Sequence, residues 1–311
     1  MIIPRSVSVL KATSIAYTFR VSEVVYEDRL EALKKETADV EAQIVAAYRQ
    51  DTEEKMRERS PEAAGMIASF TRAEGVLDEK DRVLAEAVLA DMSDEVIADL
   101  HNAVEQIHEH IGEELPTRKH VEQFVPRREW FIRESKIHGT PHLMRVLMNV
   151  ELLGRIARLE MPDINLKAIE IAACMHDVRR INDRASDVWH GKRASEYLQE
   201  HADVFPEADA ECRLCACGVM HNHALDDHDR MTPEEIVFKD ADALDRYRFS
   251  SGPDWRYMRL EASKAIAPVS YTMAALSGFY IDNGYKRAEA VLKAAEVLRL
   301  FAQETETPKA E

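Results

Sequence analysis

Two series of apolar residues recur at spacings of three and four: Leu30, Leu33, Val40, Ile44 and Ala47, then Ile97, Leu100, Val104, Ile107 and Ile111. That period is one face of an α-helix, not the two-residue alternation of a half-buried strand. Only 10 glycines and 11 prolines occur in 311 residues, too few for the turns of a sheet-rich chain. An all-α protein is expected. Residues 1–22 read differently: Ile15, Tyr17, Phe19 and Val21 alternate with small or polar residues, which suits an extended arm or short strand. Residues 23–115 read as several helices, because Ser60-Pro61 and Gly65 interrupt the run. A self-packed hairpin or bundle fits this region, and so does a dimerisation or sensing module, which would make a homo-oligomer through the N-terminal helices. Residues 304–311 read as a frayed tail.

The formal net charge of −16 opposes binding along a nucleic-acid backbone, so no bulk nucleic-acid binding is expected. A small phosphorylated substrate in a locally positive pocket is compatible with it. No run approaches the ~18 uninterrupted apolar residues of a membrane span. The first residues lack a charged leader followed by an apolar core, and only four cysteines occur (Cys174, Cys212, Cys215, Cys217). A reducing, cytoplasmic location with free thiols is the expectation. Near Pro116 the composition turns basic, with Arg118, Lys119, Arg127, Arg128, Arg133 and Lys136. This is either a solvated face or a phosphate-attracting rim.

Eight of the 12 histidines fall between His138 and His228. Thr140 and Pro141 read as N-cap and first residue of a helix, with His142 in its first turn. His138 precedes that start. A nearly all-apolar helix from about Leu166 to Val178 carries His176-Asp177 at its end. A carboxylate there is costly unless it is paired or holds a metal. Ser186 or Asp187 can cap a third helix with His190 in its first turn. A fourth ends in His221 and His223, which lie roughly 200° apart on a helix, so only one should face a common site. Thr232, Pro233 and Glu235 make a capping box for a fifth, which carries Asp240, Asp242 and Asp245. Imidazoles and carboxylates without thiolate suit Fe, Mn, Zn, Ni or Co. A structural zinc site of Cys212, Cys215, Cys217 and His221 is the competing arrangement, but those thiols interleave with Leu214, Val219 and Met220 along one helix.

In order and spacing, His142 followed by Arg145-Val146, the doublet His176-Asp177, and Asp242 within Asp240-Ala-Asp242 resemble the HD superfamily of metal-dependent phosphohydrolases. The resemblance covers about residues 116–250 and extends toward 303. It implies an HD-type helical domain over 116–303 that binds one or two divalent transition-metal ions. Metal-activated water would cleave a phosphoester or phosphoanhydride, most naturally of a nucleotide. His142, His176, Asp177 and Asp242 would hold the first ion, with Asp177 bridging as the catalytic carboxylate. His190 and His221 would serve a second. Arg180, Arg145 and Lys239 are the phosphate-clamp candidates, though Arg145 can equally be a structural ion-pair partner and Lys239 simply solvated. Arg180 stands where family members often carry Lys, and no Gly-Tyr-Pro signature is present. A catalytically inactive, metal-binding sensor or assembly module is the alternative. Apolar spacing alone would put Asp240 at the site, since Ile236, Val237, Leu244 and Tyr247 share its face, whereas the resemblance chooses Asp242 and leaves Asp240 in need of an Arg or Lys.

Overall fold

A computed structural model describes residues 6–72, 77–184, 187–224 and 230–302, with backbone alone for 6–28. The 304–311 tail and His228 lie outside the described residues. The described residues form twelve α-helices and no strand: α1 Ser6–Arg57, α2 Pro61–Thr71, α3 Glu79–Ala90, α4 Asp94–Ile111, α5 Arg118–Glu122, α6 Thr140–Arg158, α7 Leu166–Met175, α8 His190–Glu200, α9 Ala210–His221, α10 Pro233–Leu244, α11 Glu261–Asp282 and α12 Arg287–Val297. The fold is all-α, as expected. Among the described residues no helix is long and apolar enough to cross a membrane.

Among the described residues of 1–22 the expected extended arm is not found: α1 is helical from Ser6 onward. Ile15 and Phe19, like Tyr17 and Val21, are also four apart, and no neighbouring strand is present among the described residues to pair with an extended segment. The break at Ser60-Pro61 is where expected. Ser60 caps α2 by accepting from the Ala63 amide, with Pro61 at the first helical position.

Two compact units divide the chain, Met1–Glu54 and Lys55–Glu311. In the first, Leu30, Leu33, Val40 and Ile44 of α1 are exposed. The second contains α2–α12, so the boundary expected near residue 115 is displaced by some 60 residues. The cause is visible in side chains that cross it. The Tyr280 hydroxyl donates to the Asp81 carbonyl (3.0 Å), Lys293 pairs with the Asp81 carboxylate (2.8 Å), and His108 meets the Arg299 carbonyl (2.9 Å). Ile97, Leu100, Val104, Ile107 and Ile111 of α4 are buried, and α4 packs on α11.

The centre of this unit is α6, buried along almost its whole length against α7, α10, α11 and α12. Its start departs slightly from expectation. Gly139 is the N-cap, and the Thr140 hydroxyl donates to Glu134 (2.7 Å) instead of capping. The capping box on α10 is complete, with Thr232 and Glu235 each serving the other's amide. α7 and α10 lie on α6, and α9 packs on α7 and α8. The ends of these helices meet around the His176-Asp177 doublet.

Candidate metal centre

His142 projects from the first turn of α6, His176 directly follows α7, and Asp242 lies in the last turn of α10. Burial fixes the ring orientations through their outer nitrogens. His142 Nδ1 donates to Asp245 Oδ2 (2.7 Å), His176 Nδ1 to the Ala173 carbonyl (3.1 Å) and His190 Nδ1 to the Asp187 carbonyl (2.5 Å). With those protons anchored, each neutral ring presents a lone pair at Nε2. His142 Nε2 and His176 Nε2 stand 3.2 Å apart. His142 Nε2 is 3.4 Å from both Asp177 Oδ2 and Asp242 Oδ1, and His176 Nε2 is 3.6 and 3.8 Å from the same two oxygens.

Four such atoms facing one another repel unless a proton or a metal ion lies between them. Ligands about 2.1 Å from a tetrahedral ion stand about 3.4 Å apart, and the distances of the two imidazoles from each other and from each carboxylate oxygen, 3.2–3.8 Å, bracket that value. The donor set fits a divalent transition-metal ion, and these four residues would hold it. Burial and the neighbouring imidazoles act in opposite directions on the carboxylates. The imidazoles win, so Asp177 and Asp242 lie below the ordinary carboxylate range. Burial pushes His176 down to about 4 and lowers His190, keeping both neutral at neutral pH. Burial also opposes charge on His142, but the Asp177 and Asp245 carboxylates carry its pKa above the ordinary value, so an ion at Nε2 would take the place of a proton there.

The outer ring of the site differs from the expected set. His221 ends α9 on its exposed side and does not enter the pocket. His223, two residues on, takes that place. Its ring lies 5.1 Å from His176 and 4.9 Å from His190, and Nε2 is 3.8 Å from Asp242 Oδ2. Its Nδ1 is buried without a hydrogen-bond partner, and burial pushes the ring down to about 3. The turn after α9 carries His223 inward and leaves His221 outside, in keeping with the roughly 200° that separates two such positions on a helix. It also needs Gly191: a Cβ there would stand 2.1 Å from the Met220 carbonyl oxygen. His138 also joins the site, with Nδ1 2.7 Å from Asp177 Oδ2. His190 heads α8 behind Trp189, with no side-chain cap from Asp187, and Ser186 lies outside the described residues; its Nε2 is 3.3 Å from Asp177 Oδ1.

Of the three phosphate-clamp candidates, only Arg180 faces the cluster. Its Nε donates to Asp177 Oδ1 (2.6 Å) and its Nη2 to His190 Nε2 (3.4 Å). Arg145 is an ion-pair residue: it is buried, its Nε is 2.5 Å from Asp245 Oδ1, and its Nη1 donates to the Ser277 hydroxyl. Lys239 is half-buried and tied to the chain, its Nζ donating to the His223 carbonyl (2.8 Å). Sequence reasoning missed Asp245 as a functional residue. It holds His142, Arg145 and Arg248 together, and its place three residues after Asp242 was the available signal. Asp240 has the partner it needs: Arg259 Nη1 at 3.3 Å, the amides of Arg259 and Leu260, and the Ser263 hydroxyl.

The cysteines belong elsewhere. Cys217 Sγ contacts the Ser195 carbonyl, and burial raises Cys212 and pushes Cys215 up to about 11, keeping both thiols protonated. No cysteine belongs to a potential metal-holding cluster among the described residues. Compared with family models, curated proteins and solved structures, the chain matches none.

Proposed function

We propose that this chain is a metal-dependent phosphohydrolase acting on a phosphoester or phosphoanhydride of a small phosphorylated molecule, foremost a nucleotide. One observation carries the reading: the Nε2 atoms of His142 and His176 stand 3.2 Å apart, and each lies 3.4–3.8 Å from the carboxylates of both Asp177 and Asp242. Those four residues also follow the order found in the HD superfamily. A bound divalent ion would supply a water of lowered pKa and a polarised phosphoryl oxygen.

The chain's own residues do the rest. Asp245 and the Ala173 carbonyl hold the two imidazoles in the ligating tautomer. Asp177 directs Oδ2 at the ligand cluster and Oδ1 at Arg180. A phosphate group drawing Arg180 away would free Oδ1 to accept a proton from the attacking water. Asp242 is the most exposed of the four ligands, so substrate approaches from its side. The reading is for one ion: a second would need Asp177 Oδ1 and His190 Nε2, the two atoms Arg180 engages.

The same guanidinium favours the second reading, a non-catalytic metal-binding sensor, because Arg180 and His138 together engage both oxygens of Asp177. A nucleotide panel with the metal-loaded protein separates the two. The hydrolase reading expects release of phosphate or nucleoside product that vanishes with chelator and in Asp177→Ala. Stoichiometric metal without turnover on any member of the panel would leave the sensor.

A further inference from the structure

Beyond this centre, α6 and α7 carry a second group of ligand-type side chains. Glu151 lies nine residues after His142 on α6, and Glu170 six residues before His176 on α7. Both carboxylates are buried, and both face His120 of α5, whose Nε2 is 3.1 Å from Glu151 Oε1 and 3.1 Å from Glu170 Oε1. One N–H cannot point at two oxygens. It is aligned with Glu170 Oε1, and Glu151 Oε1 is left buried with no hydrogen bond. Arg155 does not relieve it, because its Nε and Nη2 are both spent on Glu151 Oε2 (3.1 and 2.6 Å).

A buried carboxylate oxygen left without a partner forfeits its hydration with nothing in exchange. An ion set between the three atoms in place of the single proton would serve both oxygens and the imidazole lone pair. The three ligand atoms lie within 4.8 Å of one another, close enough for shared coordination. His120 and Glu170 also line a cavity of about 780 Å³ whose rim carries Arg127, Arg155, Arg158 and Lys167. The cluster therefore has an entry path, and its remaining coordination positions face space available to water or a small anion. Three protein ligands with an open side are the pattern of an exchangeable site, not a closed structural one.

We infer that His120, Glu151 and Glu170 form a second divalent transition-metal site, independent of the centre at His176-Asp177. The donor set, one imidazole and two carboxylates, suits zinc, iron or manganese.

The test is zinc stoichiometry of the full chain, stripped with chelator, reloaded and measured by elemental analysis and calorimetry. Wild type should bind two equivalents. His120→Asn, at a half-exposed position, and the near-isosteric Glu170→Gln should each lose one while keeping the wild-type helical spectrum in chelator. Asp177→Ala should lose the other, and Asp177→Ala with His120→Asn should lose both. Unchanged zinc in both His120→Asn and Glu170→Gln would overturn the site and leave a buried ion network. Zinc unchanged in Asp177→Ala but reduced in His120→Asn would instead sink the proposed catalytic centre and spare this one. Cobalt gives a second readout: a tetrahedral visible band should weaken in His120→Asn, and an identical spectrum would count against the site.

Discussion

The two ends of α6 and α7 carry the same kinds of side chain in opposite states. At one end, the outer imidazole protons of His142, His176 and His190 are fixed on Asp245 and two backbone carbonyls, so the inward nitrogens face the carboxylates as lone pairs. At the other end His120 turns its Nε2–H inward, between Glu151 and Glu170. Counting histidines and acids does not separate the two; where the protons are anchored does. Their responses to pH also oppose each other. Burial depresses His176 and His223, so stability from that end falls as pH drops from about 6.5 toward 4. The Glu151 and Glu170 carboxylates beside it lift His120 to about 10, and burial lifts Glu170 to about 7. There the folded state holds protons that the unfolded chain releases, so stability falls as pH rises, from about 4.5 to 7 for Glu170 and from about 6.5 to 10 for His120.

The largest expected effect comes from emptying the first end. His176→Ala and Asp177→Ala should each abolish metal binding there and all turnover, checked by elemental analysis and product assay, while the His120 end keeps its own behaviour. Full occupancy of that centre in both variants would erase the contrast. Asp245→Ala comes next. It strands Arg145 and Arg248 in the interior and releases His142 from its tautomer. We expect a loss of about 3–5 kcal/mol in urea unfolding and metal affinity about 10–100-fold weaker. A variant with wild-type affinity would show that the outer proton anchor is dispensable.

The Asp240 and Asp242 pair sharpens the comparison further. Asp242→Asn should weaken metal binding with little effect on the metal-free stability. Asp240→Asn should lower stability by about 1–3 kcal/mol and leave metal binding intact. The reverse outcome would exchange their assignments. The smallest effect belongs to Glu170→Gln in chelator. Its melting temperature relative to wild type should rise between pH 5 and 7.5, because the amide removes the carboxyl whose ionisation is opposed by burial. A flat difference would mean that Glu170 ionises there as an ordinary carboxyl.

The legible parts of the site were those whose position follows from helix ends. Pro141, the apolar run before His176 and the Thr232 capping box each fix where a side chain emerges, and His142, His176, Asp177, His190 and Asp242 meet as the sequence suggested. His221 was chosen where His223 serves, because the choice depends on a turn beyond α9 and on the close approach of Gly191. The apolar stripes show the same limit. Those of α1 and α4 share one period, yet Leu30 and Leu33 are exposed while Ile97 and Leu100 are buried. Period specifies a helix with an apolar face; it does not name what covers that face. For the same reason the unit boundary was misplaced: nothing local to residues 61–111 announces that α11 will pack against α4.

Asp240 has one more consequence. Its carboxylate, on α10, receives the amides of Arg259 and Leu260 at the start of α11, where no local side chain caps that helix. It thus closes the intervening residues 241–259 into a ring, a cross-link without a covalent bond. Opening that ring returns to about twenty residues the freedom that loop closure had removed. The Arg259 and Leu260 amides should therefore report the integrity of the ring: slow to exchange with solvent deuterium while it is shut, and the first of α11 to exchange when it opens.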